Sequence, residues 1–260
     1  MANNIKLTES DDIAIVTMDN GDQINTIDIE LCQELRRELN HIAHHGEHRA
    51  VILQANGKGF SAGGDLAQIA SAIERSDDAY LDELITKFHS VILTIRQLAV
   101  PVIASVHGAA AGAGFSLALA CDVAIAESGA RFIAGYPKLG TSTDGGLSFQ
   151  LTRRLGAARA IDVLLYKDSL TAAEALALGL IQDVCAPETL ESAALASAKR
   201  MTRHPRAGIA ETKRLVSRLA DADLAAHLEQ EKQAFIRCAA TDDFRKRIGD
   251  FIRQSGSQKT

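Results

Sequence analysis

Ala50-Val51-Ile52-Leu53-Gln54-Ala55 runs directly into Asn56-Gly57-Lys58-Gly59-Phe60-Ser61-Ala62-Gly63-Gly64-Asp65. The first segment reads as a buried strand, and the second is a glycine-rich loop. Further along, the arrangement returns. Val102-Ile103-Ala104-Ser105-Val106 is strand-like, and a second loop of small residues, His107 to Gly114, leads into the apolar segment Phe115–Ala120. A strand, a glycine loop and a helix, repeated within a chain of alternating elements, predict an α/β fold.

The neighbouring segments agree. Upstream, Ile13–Met18 is β-rich and closes on the turn-like Asp19-Asn20-Gly21-Asp22. From Asp28 to Ala43, Ile29, Leu31, Cys32, Leu35, Leu39 and Ile42 recur at helical spacing, with Gly46 placed to stop the helix. Asp82 to Leu98 predicts another helix, ended by Pro101, and Asp122–Ala126 another strand. The last third is helical in pattern: Ala157–Leu165, Ala172–Leu178, Leu190–Met201, Ala207–Leu219 and Asp223–Ala239, with breaks at Pro187 and Pro205. We divide the chain into a core, residues 1–200, and a helical region, residues 201–260, expected to serve oligomerisation and pocket closure.

The 260 residues are 47% hydrophobic and 23% charged, which excludes a disordered chain, a collagen-like repeat or a small disulfide scaffold. A net charge of −5 argues against nucleic acid or an anionic membrane as the main partner. No apolar stretch approaches the length of a membrane span. The opening MANNIKLTESDD is polar, without the basic end and apolar run of a signal peptide. Cys32, Cys121, Cys185 and Cys238 show no CxxC spacing, so reduced thiols and a cytoplasmic location are expected.

Two small-residue loops, each opening a helix, present unpaired backbone N–H groups at points a ligand can approach closely. Facing one another, they would aim two donors at a single oxygen. The same glycines also suit plain tight turns. Neither loop fits a dinucleotide fingerprint or a P-loop.

The residues themselves carry a resemblance. Gly59-Phe60-Ser61-Ala62-Gly63-Gly64-Asp65-Leu66 and Pro101 through Gly114 resemble the paired signatures of the enoyl-CoA hydratase/isomerase (crotonase) superfamily. Leu119-Ala120-Cys121-Asp122, Ala130-Arg131-Phe132, Leu139-Gly140, Asp144-Gly145-Gly146 and Ala173–Ile181 match in order. The resemblance implies a spiral of ββα units with a C-terminal helical region, assembled as a homotrimer or a dimer of trimers. It also implies a coenzyme A thioester as substrate, with no metal and no separate cofactor.

Carried across, the oxyanion hole is the amides of Gly64 and Ala113, where many members have glycine at the second position. Ala62, Gly63, Asp65, Leu66 and Gly112 fall on the substrate-binding loops, although Asp65 suits a helix cap equally well. The hydratases resembled here use two glutamates to hold water. Ser116 and Tyr136 stand at those positions, so two-carboxylate hydration is disfavoured.

Asp144 remains as the candidate acid/base, moving a proton along an enoyl chain as family isomerases do. An ordinary aspartate is a weak base near neutral pH, so the role calls for apolar walls, expected from Phe132, Tyr136 and the Ala-rich loop. The plain alternative is that Asp144 caps the helix beginning near Gly146. A second branch resembled is the 4-halobenzoyl-CoA dehalogenases, in which this aspartate is a nucleophile served by a histidine and flanked by a tryptophan. His89, twelve residues before Pro101, and Tyr136 supply that trio in outline. The plain reading of His89 is a half-buried helix position. A hydratase with a non-standard base and a non-catalytic thioester-binding chain are further alternatives.

His41, His44, His45 and His48 share a helical face only if the helix passes Gly46. Lys213, Arg214 and Arg218 suit either coenzyme A phosphates or surface ion pairs. Cys121 and Asp122 read as core residues.

Overall fold

The computed structural model describes residues 4–257. The chain opens with β1 (Asn4–Ser10) and β2 (Ile13–Asp19), an antiparallel pair, then α1 (Ile29–His45) and β3 (Ala50–Ala55). It continues with α2 (Leu66–Glu74), α3 (Asp78–Gln97), β4 (Val102–Val106), β5 (Ala109–Ala111), α4 (Ala113–Ala120), β6 (Val123–Glu127) and β7 (Arg131–Ile133). Next come α5 (Tyr136–Leu139), α6 (Leu147–Leu155), α7 (Ala157–Ile161), a π-helical turn, β8 (Leu170–Thr171), α8 (Ala172–Ala177) and β9 (Asp183–Cys185). Four helices finish the chain: α9 (Leu190–Met201), α10 (Arg206–Ala220), α11 (Leu224–Ala239) and α12 (Asp242–Ser257).

The main sheet is six-stranded, ordered β1-β2-β3-β4-β6-β9, and every pair beyond β1–β2 is parallel. Parallel strands covered on both faces read as continuous apolar runs rather than alternating ones, which is why β3 and β4 stand out in the sequence. Val51, Leu53, Val102 and Ala104 face the larger core beneath α1 and α3. Ala50, Ile52 and Ile103 face the other way and are covered by Leu190, Ala194 and Ala198 of α9. So α9 belongs to the packing of the sheet, and the three helices after it lie elsewhere. A smaller sheet, β5-β7-β8, sits beyond the ends of the main strands.

Most of the expected elements are present, with shifted ends. The predicted helix at Asp28 begins at Ile29 because the Asp28 side chain accepts from the Leu31 amide, 2.7 Å away, and it stops at Gly46, which is left-handed at φ 68°. That stop also separates His48 from the other three histidines. The His41 and His45 rings lie 4.0 Å apart, tilted at 51°, while His48, past the break, pairs with Glu9 of β1. The polar opening segment contains an edge strand, β1.

Lys213 is not held ready for a phosphate. Its ammonium lies 2.6 Å from Asp122, is largely buried and donates to the Val100 carbonyl. Arg214 pairs with Glu211 on its own helix. Asp122 also accepts from the Val102 amide and faces Arg96, so the Cys121–Asp122 step is structural. Burial first, and then Asp122, push the Cys121 thiol up to about 12, far from a nucleophile at neutral pH. No helix among the described residues is long and apolar enough to cross a membrane.

Candidate active site

Because β3 and β4 are parallel neighbours, the loops leaving their C-terminal ends emerge side by side. Backbone pairing then ties the loops together. The Ser61 amide donates to Ala109 O at 2.9 Å, and the Ala111 amide donates to Ser61 O at 2.8 Å. On the other flank, Ile27 N reaches Gly63 O at 2.7 Å and Asp65 N reaches Ile27 O at 3.0 Å. Gly63 must be glycine here. Its φ is +91°, and a Cβ would stand 2.8 Å from Ala111 O and 3.3 Å from Ala113 N, forcing the loops apart.

This stitching leaves two amides unused. Among the described residues, neither Gly64 N nor Ala113 N donates a hydrogen bond, and both residues line an apolar cavity of about 610 Å³. Ala113 is the first residue of α4, ahead of the apolar run that begins at Phe115, so its N–H is among the unpaired donors of a helix N-terminus. Ala62, Gly63, Leu66 and Gly112 line the same cavity. Asp65 does not. Its carboxylate accepts from the Ala67 and Gln68 amides, both at 3.0 Å, and caps α2.

Asp144 lies across the cavity, 6% exposed, and it is not a helix cap. The N-cap of α6 is Gly146, which leaves the Asp144 side chain upstream of the helix and turned toward α3. There its Oδ1 meets His89 Nε2 at 2.5 Å. His89 is only 7% exposed, so the half-buried surface reading fails. Nor does His89 line the cavity; it stands behind the carboxylate, and Phe88 beside it supplies the wall. His89 thus touches the carboxylate without facing the cavity.

Ser116 and Tyr136 brace the same residue from its backbone side. The Ser116 hydroxyl donates to Asp144 O at 2.7 Å, and the Tyr136 hydroxyl donates to the same carbonyl at 3.2 Å. Burial, and then the Asp144 charge, push the Tyr136 phenol well above its ordinary range, so it stays a neutral donor. Both hydroxyls are thus tied to the loop that carries Asp144.

Phe132, expected as a wall, packs inside the core against Phe115, 5.2 Å between ring centres. Tyr136 and Ala109, Ala111 and Ala113 of the Ala-rich loop do line the cavity, joined by Leu84, Ile85 and Phe88 of α3, with Phe235 of α11 and Phe244 and Phe251 of α12 closing the far side. Gly145 packs directly under Phe88. At φ +66° a Cβ would sit 2.3 Å from the Phe88 ring, so Gly145→Ala should cost about 2–4 kcal/mol through backbone strain and overpacking. Denaturant unfolding of the variant against the parent protein reads this directly.

The residue missed in the sequence is Glu231 of α11, 5% exposed. Its Oε2 accepts from the Gly146 amide at 2.6 Å. Its Oε1 accepts from the Ser148 hydroxyl at 2.5 Å, the Ser148 amide at 3.2 Å and the Thr143 hydroxyl at 3.2 Å. Burial pushes this carboxyl up, but hydrogen bonds from His227, Ser148 and Gly146 outweigh it and hold the group below its ordinary value. One signal pointed to it: Leu224, Leu228, Glu231 and Phe235 form the buried stripe of α11, with a glutamate where an apolar residue is expected. Donor atoms of His89, Asp144 and Glu231 lie within 4.8 Å of one another. Glu231 Oε1 already accepts three hydrogen bonds, Oε2 accepts one from the Gly146 amide, and Asp144 Oδ1 is turned to His89, so each member of the group is held by protein partners.

Comparison with known proteins gives the family of the chain. The profile of the enoyl-CoA hydratase/isomerase family matches residues 8–257. A probable enoyl-CoA hydratase of Mycobacterium bovis is 35% identical over 87% of this chain and 82% of its own. A trans-2-decenoyl-[acyl-carrier-protein] isomerase of Streptococcus mutans is 32% identical over 69% of this chain and 68% of its own. Among solved structures, an enoyl-CoA hydratase from Bacillus halodurans superposes with a TM-score of 0.89 at 28% identity, covering 95% of this chain and 99% of the other. The spiral α/β core with its C-terminal helices is thus the crotonase fold, and the chain belongs to the enoyl-CoA hydratase/isomerase family.

Proposed function

We propose that this protein shifts the double bond of an enoyl thioester, with Asp144 moving the proton and the Gly64 and Ala113 amides stabilising the enolate. The observation that carries this reading is a buried carboxylate at the wall of an apolar cavity, fixed by His89 at 2.5 Å, with two unused amides on the loops opposite. A thioester acidifies its α-proton, and preorganised donors in a water-poor site stabilise the oxyanion as the proton leaves. Asp144 Oδ takes the proton from one carbon and returns it two carbons away, so no net proton or electron is consumed. The carboxylate stays singly placed throughout, which suits one base acting twice.

The family acts on acyl-CoA thioesters, and coenzyme A enters as part of the substrate, so the reading calls for no separate cofactor. The Streptococcus mutans relative, an isomerase by name, makes an acyl-carrier-protein thioester the second class to try. Hydration is the weaker reading because Ser116 and Tyr136 spend their hydroxyls on Asp144 O. A trimeric assembly would cover the exposed Leu215, Val216 and Leu219 of α10. The deciding experiment is α-proton exchange in D₂O with 2-enoyl, 3-enoyl and aryl-acetyl thioesters, comparing the parent protein with Asp144→Asn.

The Asp144–His89 contact also favours a second reading, attack of the carboxylate on an aryl-CoA ring with halide as leaving group and His89 later activating water. The two readings part at His89→Gln. If Asp144 shuttles protons, the variant keeps measurable exchange at a reduced rate and releases no halide from 4-halobenzoyl-CoA. If Asp144 is a nucleophile, the parent protein releases halide and the variant stalls after one turnover.

A further inference from the structure

We propose that Glu231 of α11 is a positioning residue that fixes the Asp144 carboxylate against His89, so that the C-terminal helical region sets the geometry of the base. The inference rests on the assignment of Asp144 above and adds a residue on a distant segment to its support.

Asp144 sits in a loop whose backbone has little restraint of its own, followed by Gly145 at φ +66° and Gly146 at φ +79°. No side chain within α6 caps its N-terminus. Glu231 takes over that role from across the fold and holds the loop on both flanks of Asp144. On one side it binds the Thr143 hydroxyl; on the other it binds the Gly146 and Ser148 amides. A carboxylate at a helix N-terminus is favoured both by the unpaired donors and by the helix dipole. Ser116 and Tyr136 pin the carbonyl of Asp144 and His89 pins its side chain, so Glu231 completes a clamp on which the 2.5 Å contact depends.

Glutamine cannot replace this group. Oε2 accepts from an amide, and Oε1 accepts from an amide and a hydroxyl at once. Whichever way the Glu231→Gln amide is turned, its NH₂ confronts at least one backbone N–H. The loop must then shift, and a displacement of about 1 Å in a reacting group costs on the order of 10²-fold in rate.

The test reads the contact itself before it reads turnover. A short His89–Asp144 hydrogen bond gives a far-downfield proton resonance, assigned by its loss in His89→Gln. In Glu231→Gln that resonance should move upfield or broaden away, and thioester exchange should slow by about 10²-fold with KM unchanged. A Thr143→Val variant, which removes one tie and leaves Glu231 in place, should move the resonance in the same direction by less. If folded Glu231→Gln keeps the parent resonance and loses only thermal stability, Glu231 is a helix cap and the proposal is overturned. Should Glu231→Gln fail to fold, an unmoved resonance in Thr143→Val overturns it equally. Because the resonance needs no substrate, a wrong assignment of Asp144 as base would appear as absent exchange with the resonance still responsive to Glu231→Gln.

Discussion

Asp144→Asn should abolish measurable α-proton exchange while leaving the protein folded and able to bind thioester. Asparagine keeps the shape and a hydrogen bond to His89 but has no site for the abstracted proton. Loss of a positioned general base typically costs about 10²–10⁴-fold. The upper end applies here, because the polar groups packed around Asp144 are otherwise engaged. Ser116 and Tyr136 are committed to the Asp144 carbonyl, His89 stands behind the carboxylate rather than on the cavity, and both Glu231 oxygens are occupied. Binding should persist because Asp144 is one residue of a cavity wall built mainly by α2, α3, α11 and α12. Exchange measured by mass spectrometry, beside thioester affinity measured by calorimetry, separates the two. A variant that exchanges at the parent rate would remove Asp144 from the chemistry.

The strands and helices visible in the sequence are those whose burial leaves a strong period. Ala50–Ala55 and Val102–Val106 are covered on both faces, and α1 shows a clean apolar stripe, so each could be read without the fold. The elements not anticipated carry weaker patterns. Among the described residues, β1 is an edge strand with Ile5 and Leu7 packed on the core, and α12 buries Phe244 and Ile248 along a highly charged helix.

Two aspartates posed the same local question, cap or chemistry, and the fold answered them differently. Asp65 immediately precedes α2 and caps it; Asp144 is set back from α6 by two glycines, so its side chain is released for His89. That partnership spans 55 residues and that of Glu231 with Thr143 spans 88, separations that no local pattern encodes. On α3, adjacent residues split their duties: Phe88 faces the cavity while His89 faces the loop behind it, a distinction that depends on the helix's rotation against the sheet.

The second large effect concerns a donor that side-chain substitution cannot normally reach. Ala113→Pro deletes the Ala113 N–H, and the position makes that deletion structurally mild. Ala113 is the first residue of α4, where proline is well tolerated because the amide has no intrahelical partner and the ring suits the required φ. Proline also disfavours helical backbone in the residue before it, but Gly112 has φ 50° and ψ −120° and no Cβ, so nothing is displaced on that side. Loss of one oxyanion donor costs about 2.7–4 kcal/mol, or about 10²–10³ in turnover. We therefore expect Ala113→Pro to retain the parent circular dichroism while exchange falls by at least that factor; the ring Cδ takes the place of the N–H hydrogen, so thioester affinity should weaken as well. Ala113→Gly, which keeps the N–H, should exchange at close to the parent rate. If Ala113→Pro were folded and fully active, the negative charge would have to develop beyond the reach of this loop. The pairing of Ser61 with Ala109 and Ala111 would then serve to shape the cavity rather than to aim two amides at one oxygen.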